Sequence, residues 1–316
     1  MANSPISSWT EQQLANITAA GTSDFVGGTN TTNNNTQNRK FSLATLANFV
    51  VTKFKPSALS SIADGSVAGA IALLDSKSGS GAGYHNSIYR GKNLGTAVTS
   101  AQWTAISSGT FEDLFIGDYW VINGVTWRIA AFDYWYNTGD TNCTTHHVVI
   151  VPDGSLHSAK MNETNITTGG YMGSDLYTGN NENTGLSSAI TKVNNAFGSS
   201  HILSHREYLT NATSNGYASG GTWADSTVDL MNEAMVYGSR FYENCMAGTN
   251  IPTNYTVSKS QLPLFQHDHS RIGNRAYWWL RSVASASDFS FVSYYGTCAF
   301  LLASYSFGVR PAFAIK

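Results

Sequence analysis

The strongest constraint on the fold lies near the carboxyl end of the chain, where two apolar runs enclose a segment with almost no charge. The first run, YWWLRS, extends from Tyr277 to Ser282, and the second, GVRPAFAI, from Gly308 to Ile315. Aromatic and branched residues at this density predict two strands that fill a core. The segment between them, Val283 to Phe307, has Asp288 as its only charged residue and shows no clear period of 2 or 3.6.

The composition of Val283–Phe307 suits neither a buried strand nor an ordinary loop. It alternates Ser and Ala with Tyr, Phe and Leu, and Tyr and Ser are residues that rigid binding surfaces favour. Lys, Glu, Gln, Met and Trp are all missing from it. These are the residues that a codon cannot encode when its first two bases vary freely and its third stays a pyrimidine. The pattern therefore predicts a fixed apolar frame around a permissive face, and a binding protein rather than an enzyme.

The amino-terminal part divides into three segments by composition. Residues 1–40 are polar and repetitive and are predicted to form a flexible or extended lead-in. Apolar residues recur at helical spacing from Leu43 to Phe54, with Ser42 as a cap, and more weakly from Val67 to Leu74. A small helical attachment or oligomerisation region is expected over residues 41–95, including a Gly/Ser linker at 76–83. Its stripes predict self-association, a trimer being favoured, with packing on the following domain as the alternative.

Residues 96–316 are predicted to form one α+β domain. Two strand-like runs within 118–132 flank Asn123-Gly124, the favoured pair for a type I′ hairpin. A buried strand is predicted at 148–151 and a helix at 186–197. Ser226 and Asp229 resemble a capping box in front of a second helix that would end at Gly238. Strands at both ends of this domain are expected to share one sheet.

The sequence gives only weak signals for metal binding, disulfide bonding or catalysis. The histidine pairs are interpreted as hydrogen-bonded or exposed side chains and not as metal ligands, so no metal or cofactor is predicted. These pairs are His146-His147, His201/His205 and His267/His269. Three cysteines, Cys143, Cys245 and Cys298, form no disulfide framework. A carboxylate pair among Asp113, Asp118, Asp133, Asp140 and Asp153 keeps a glycosidase open as an alternative. Asp133 and Asp140 flank an aromatic cluster that suits sugar or calcium binding as well as a core edge.

Charge and hydropathy limit the classes of partner. The net charge is -2 with no long basic run, so nucleic-acid binding is not expected. No apolar run approaches the roughly 20 residues of a membrane span. The first residues also lack the pattern of a secretory signal peptide, so a protein acting outside a cell would leave by lysis or within a particle.

The frame WWLRS … F … V … G … A … GVRPAFAI resembles the carboxyl-terminal variable region of proteins diversified by retroelements through adenine mutagenesis. Residues from Gly117 to Tyr242, including GDYWVINGVTWRIAAFDYW, HHVVIVPD and SHREYL, look like the matching part of phage-encoded proteins of this type. The amino-terminal stretch loosely resembles modules of phage tail or receptor-binding proteins. This resemblance implies a C-type-lectin-like domain that displays varied side chains for ligand binding.

The resemblance also divides the terminal residues into two sets. It implies a fixed frame at Trp278, Trp279, Leu280, Arg281, Ser282, Phe289, Val292, Gly296, Ala303, Gly308, Val309, Arg310, Pro311, Ala312, Phe313, Ala314 and Ile315. It implies varied, ligand-binding positions at Ala284, Ser285, Ala286, Asp288, Ser290, Phe291, Ser293, Tyr294, Tyr295, Thr297, Ala299, Phe300, Leu301, Leu302, Ser304, Tyr305 and Phe307. Arg281 and Arg310 are expected to bind loop carbonyls. The apolar run from Phe300 to Leu302 is either displayed or part of the frame.

The expected function is noncovalent recognition of a host surface protein or glycan by a phage tail adhesin, located in the virion beside other virion proteins. A purely structural virion protein is the first alternative. A carbohydrate-active enzyme centred on Asp133 is the second.

Overall fold

A computed structural model describes the backbone at 25–30 and 37–42, and residues 81–180, 185–243 and 260–316. The chain divides into two compact units, 1–79 and 80–316. In the first unit, strands β1 (Phe25–Asn30) and β2 (Gln37–Ser42) pair antiparallel. They cover part of the expected lead-in and extend to Ser42, which was expected to cap a helix and instead pairs with Phe25. The helix predicted from Leu43 to Phe54 and the stripe from Val67 to Leu74 lie outside the described residues.

The second unit is built on a six-stranded sheet in the order β10-β15-β6-β5-β4-β3. Its strands are β3 (Asn93–Gly95), β4 (Tyr119–Ile122), β5 (Val125–Phe132), β6 (Val148–Pro152), β10 (Val228–Leu230) and β15 (Pro311–Ile315). The final strand, β15, lies between β10 and β6 and pairs antiparallel with both. The prediction that strands from both ends of the domain share one sheet is therefore confirmed.

The hairpin between β4 and β5 turns at Asn123-Gly124, as predicted. Ile122 pairs with Val125, and the two turn residues have φ of 52° and 76°. A type I′ turn requires positive φ at both positions, which Asn and Gly adopt most readily. The buried strand predicted at 148–151 is also confirmed as β6.

A five-stranded sheet carries the terminal segment in the order β13-β12-β11-β14-β7. Its strands are β7 (His157–Lys160), β11 (Trp278–Val283), β12 (Asp288–Val292), β13 (Cys298–Leu302) and β14 (Ser306–Val309). A separate hairpin joins β8 (His205–Ser214) to β9 (Tyr217–Ser226). Strand β13 lies at one edge of the five-stranded sheet, next to β12.

The helices of the second unit are mostly short. They are α1 (Ala82–Asn86), α2 (Ser100–Ser107), α3 (Asp175–Thr178), α4 (Leu186–Phe197), α5 (Glu233–Tyr237) and α6 (Pro263–His267). The helix predicted at 186–197 is confirmed as α4. The described residues thus form a mixed α/β structure, mostly of strands. None of the helices in these ranges is both long and apolar enough to cross a bilayer.

The predicted capping box at Ser226 and Asp229 is wrong. Residues 228–230 form strand β10, because Leu230 and its neighbours pair with the start of β15. Helix α5 instead begins after Asn232, whose side-chain oxygen accepts a hydrogen bond from Met235 N at 2.8 Å. Pairing with a strand distant in sequence thus overrides a local helix signal, although Gly238 ends the helix as predicted.

The hydrophobic core has two clusters, and β11 contributes to both. Adjacent strand residues face opposite sides, so Trp278 packs in one cluster and Trp279 in the other. Both side chains are fully buried, and their indole N–H groups donate to Ile272 O at 3.2 Å and Ala159 O at 2.9 Å. Strand β11 is therefore held from both of its faces.

Replacing Gly308 by Ala is expected to lower the free energy of unfolding by about 2 kcal/mol, the usual cost of overpacking a filled site. A Cβ at this position would lie 2.6 Å from Ser155 Cβ and 3.1 Å from Tyr277 O. Urea unfolding measures the loss. Gly154→Ala is the control, because an added Cβ there meets nothing within 4 Å. An unchanged unfolding midpoint in Gly308→Ala would contradict the close approach.

Candidate ligand-binding site

The frame residues on either side of the predicted varied segment are buried and hydrogen-bonded to distant parts of the domain. Arg281 donates to Leu230 O at 3.1 Å and to Glu207 Oε1 at 2.7 Å. Arg310 donates to Pro152 O at 2.8 Å and to Arg271 O at 2.9 Å. Both arginines bind backbone carbonyls, but Leu230 O and Pro152 O belong to strands β10 and β6 and not to loops as expected. Leu280, Pro311 and Phe313 are buried beside the arginines. These contacts fix the ends of the segment without using its side chains.

The ion pair between Arg281 and Glu207 lies in the interior. Both side chains are at least nine-tenths buried, and Trp135 Nε1 donates to the other Glu207 oxygen at 2.9 Å. Burial alone would raise the pKa of Glu207. The Arg281 charge, the adjacent His205 ring and the hydrogen bond from Trp135 outweigh burial and lower that pKa to about 2.

The predicted varied positions differ widely in exposure. Exposed side chains are Ala286, Tyr294, Tyr295, Thr297, Phe300 and Tyr305. Partly buried side chains are Ala284, Ser285, Asp288, Ala299, Leu301, Leu302, Ser304 and Phe307. Ser290, Phe291 and Ser293 are buried. The run from Phe300 to Leu302 therefore splits, because Phe300 is 47% exposed and its two neighbours are half-buried.

The three buried positions depart from the expectation of displayed side chains, each for a physical reason. Ser290 Oγ donates to the buried carboxylate of Glu233. The Phe291 ring packs 4.7 Å from the ring of Phe307. Ser293 Oγ lies 2.7 Å from Thr297 Oγ1 within a turn. Their side chains support the backbone of the segment instead of facing solvent.

The varied positions also do not share one face of the sheet. Phe291 pairs with Ala299, whereas Ser290 pairs with Phe300. Directly paired residues project to the same side and successive residues to opposite sides. The expectation of a single permissive face is therefore corrected, because the edge strand β13 offers side chains on both of its faces.

Two exposed tyrosine side chains lie next to the Phe307 ring and form a small aromatic cluster with it. Tyr277 stacks on this ring at 5.2 Å, and Tyr305 lies 6.2 Å from it. Tyr277 and Tyr305 are 47% and 49% exposed. The half-buried Phe307 ring therefore supports two tyrosines that reach solvent.

The turn between β12 and β13 presents Tyr294 and Tyr295, which are 42% and 85% exposed. Its backbone is closed by a hydrogen bond from Ser293 N to Thr297 O at 2.8 Å. Gly296 has φ of 84° and lies against Gly273, and its carbonyl accepts from Tyr237 Oη at 2.9 Å. The two tyrosines thus project from a fixed backbone.

The turn before β12 is fixed by contacts from another part of the domain. Thr167 N donates to Ala286 O at 3.1 Å, and Thr167 Oγ1 donates to Ser285 O at 2.8 Å. The carboxylate of Asp288 accepts hydrogen bonds from the hydroxyls of Ser285 and Ser287. The one charge of the segment is therefore already engaged by its neighbours.

Two exposed aromatic residues next to this site were not found by sequence reasoning. Phe241 and Tyr242 are 58% and 40% exposed, and the Tyr242 ring lies 4.8 Å from the Phe300 ring. Their backbone N–H groups donate to the buried Glu233 carboxylate, which also accepts from Ser290. The adjacent aromatics after Gly238 were the available signal, but the pairing with Phe300 could not be derived from sequence.

The other candidate residues are engaged in structural contacts. Asp113, Asp118, Asp133, Asp140 and Asp153 each lie within ion-pair distance of a basic side chain or a histidine. His201 lies in a 3₁₀ turn and His205 in β8, so they do not share a helical face. Within the described ranges, no group of three or more His, Cys, Asp or Glu could hold a metal ion. Cys143 and Cys298 are free thiols, and Cys245 lies outside the described residues.

Comparison with known protein families gives a match in the carboxyl-terminal part of the chain. Residues 247–316 are similar to a family described as a domain of unknown function, DUF6273. This part of the chain contains the frame and all of the predicted varied positions. No curated protein and no solved structure matches the chain.

The Arg281–Glu207 pair predicts a specific loss of stability in acid. The pKa of Glu207 is about 2 in the folded protein and 4.5 ordinarily, so its contribution is present above pH 4.5 and lost as the pH falls toward 2. That contribution is about 3 kcal/mol. We expect Glu207→Gln to lower stability at pH 7 by about 3–5 kcal/mol, because Arg281 is left buried and unpaired.

Urea unfolding at a series of pH values measures this effect. The control is Glu163→Gln, which removes an exposed carboxylate paired with Lys160. The difference between wild type and Glu207→Gln should shrink between pH 4.5 and 2, whereas Glu163→Gln should change stability little. A difference that does not vary with pH would refute the assigned role of the charge.

Proposed function

We propose that this protein is a sequence-variable binding protein of the phage tail adhesin type, which recognises a host surface protein or glycan noncovalently. The observation that carries the proposal is the contrast within Val283–Phe307. Tyr294, Tyr295, Phe300 and Tyr305 are each at least 42% exposed. The backbone turns of the segment are fixed by hydrogen bonds from side chains elsewhere in the domain. Such an arrangement lets side chains change while the fold stays the same.

The fold and the diversification belong to the same proposal. We infer a C-type-lectin-like domain, because the WWLRS and GVRPAFAI runs carry the resemblance. They form β11, the end of β14 and β15, none of which lies at a sheet edge. Retroelement-driven variation at the seventeen assigned positions is consistent with their codon-limited composition. The exposed members are the primary candidates for ligand contact, and Ser290, Phe291 and Ser293 have a supporting role.

Recognition would rest on exposed aromatic area. Tyrosine and other large aromatic side chains contribute most of the binding energy at many interfaces, often at least about 2 kcal/mol each. The segment adds no uncompensated charge, so affinity would depend on shape and hydrogen bonding through the Tyr hydroxyls. Self-association through residues 41–95, as a trimer, would add avidity in a virion beside other virion proteins.

Changing Tyr294, Tyr295, Phe300 and Tyr305 together to Ser is expected to abolish binding to cells of the host strain and leave the fold intact. Loss of two such contacts at about 2 kcal/mol each already weakens binding roughly 1,000-fold. Cell binding by flow cytometry and thermal unfolding are measured on the same preparation. The control, Tyr84→Ser, removes a tyrosine that is 37% exposed on α1.

The result separates the proposal from a purely structural role. Unchanged cell binding by a folded quadruple variant rejects the site. Normal cell binding together with failure to assemble into particles would indicate a structural virion protein.

The encoding genome provides an independent prediction. We expect a near-copy of the codons for residues 280–316 beside a reverse-transcriptase gene, differing from the protein's own codons at adenines in the copy. The differences should fall on the codons of the assigned varied positions and spare those of Leu280, Arg281 and Arg310. Sequencing of the locus tests this, and a copy without adenine-directed differences would contradict diversification.

A further inference from the structure

An open cavity lies outside the aromatic site, where the loop before β6 meets the start of β8 and the end of β9. Its volume is about 420 Å³, within the roughly 300–1,000 Å³ typical of small-molecule sites. The lining residues are Thr141, Asn142, Cys143, Thr144, Thr145, Ser204, His205, Arg206 and Asp225. None of them belongs to the frame or to the varied positions.

His205 is the buried polar group of this cavity. It is only 5% exposed, and neither ring nitrogen has a hydrogen-bond partner among the described residues. Its Nε2 lies 3.4 Å from Glu207 Oε2 without hydrogen-bond geometry. The ring is held in place by stacking on Trp135 at 3.9 Å. Buried polar groups are rarely left unpaired, so this imidazole points to a partner supplied from the cavity.

The charged groups around the cavity argue against anions and metal ions as its ligands. Arg206 is bound by Asp140 at 2.7 and 3.0 Å and by Asp225 at 3.0 Å, so its charge is already neutralised. Because two carboxylates already pair with the one guanidinium, no unpaired positive charge among the described residues lines the cavity to bind an anion. A metal ion finds no adequate ligand set in the described part of the chain.

The remaining lining groups favour an uncharged polar ligand. Thr141, Thr144, Thr145 and Ser204 bring hydroxyls, and Asn142 brings an amide. Hydroxyl and amide groups both donate and accept hydrogen bonds, as neutral imidazole does through its two nitrogens. A molecule with several hydroxyls on a compact ring matches this set, whereas an apolar molecule would leave the groups unpaired.

We propose that this cavity binds a small uncharged polyhydroxy molecule of monosaccharide or polyol size, with His205 as its buried hydrogen-bonding partner. The site is independent of the aromatic binding site and needs no variation in Val283–Phe307. Its position, two residues from Glu207 in β8, places it next to the ion pair that anchors β11.

Titration of the full chain with methyl glucoside, methyl galactoside, methyl mannoside and glycerol tests the proposal, with the imidazole ¹⁵N resonances followed by NMR. We expect at least one compound to shift the His205 resonances saturably, with a millimolar Kd. His205→Phe keeps an aromatic ring for stacking on Trp135 but removes both nitrogens. It should weaken binding at least tenfold, as measured for wild type and variant alike from the backbone amide resonances of Thr144 and Thr145, which line the cavity.

The matched control is His201→Phe, because His201 also stacks on a tryptophan, Trp103, at 3.9 Å but lies outside the cavity. It should leave the affinity unchanged, as should the four substitutions that test the aromatic site. If His205→Phe does not fold, Asn142→Ala/Thr144→Ala, both exposed loop positions, should weaken binding instead. The proposal is overturned if no compound gives a saturable shift at His205, or if the cavity variants bind as tightly as wild type.

Discussion

The burial of β11 on both faces is the constraint on which the terminal sheet depends. All six residues from Trp278 to Val283 are buried, and the two adjacent tryptophans enter different core clusters. A strand exposed on one face can slip by one residue only by turning its apolar side chains outward. Here a slip would exchange the environments of Trp278 and Trp279 and break both indole hydrogen bonds. The register of the neighbouring strands is consequently set from within the domain.

Because of this arrangement, the side chains of the varied segment contribute little to fixing its backbone. Its turns are held by Thr167, Tyr237 and Gly273, which lie elsewhere in the sequence. Most of these contacts involve backbone carbonyls of the segment, which every amino acid possesses. Side-chain identity is therefore weakly coupled to backbone position at Tyr294, Tyr295 and Tyr305. It is strongly coupled where the side chain itself is buried, as for Phe291.

Sequence patterns predicted the local elements and the sharing of one sheet by strands from both ends of the domain, but not which strands pair. Asn123-Gly124 predicted a hairpin, and the periodicity from Leu186 to Phe197 predicted a helix. Both predictions were correct because each pattern lies within a few consecutive residues of the sequence. Strand β10 was missed because its partner, β15, lies about 80 residues away by the length of the intervening chain. The split of the varied positions between two faces was missed for a different reason. Strands β12 and β13 form a local hairpin, but their sequence shows no clear period of 2 that would have assigned alternate residues to opposite faces.

Ser290 illustrates how the buried contacts limit variation at the site. Its hydroxyl donates to Glu233, and the same carboxylate accepts from the backbone of Phe241 and Tyr242. A large side chain at this position would overfill the space. It would also remove one hydrogen-bond donor from the buried Glu233 carboxylate, and that loss costs more stability than the loss of a surface contact. A small hydroxyl residue at 290 would keep the carboxylate satisfied and the loop bearing Phe241 and Tyr242 in place. Tolerance within the segment is thus graded by burial, from Tyr295 at one extreme to Ser290 at the other.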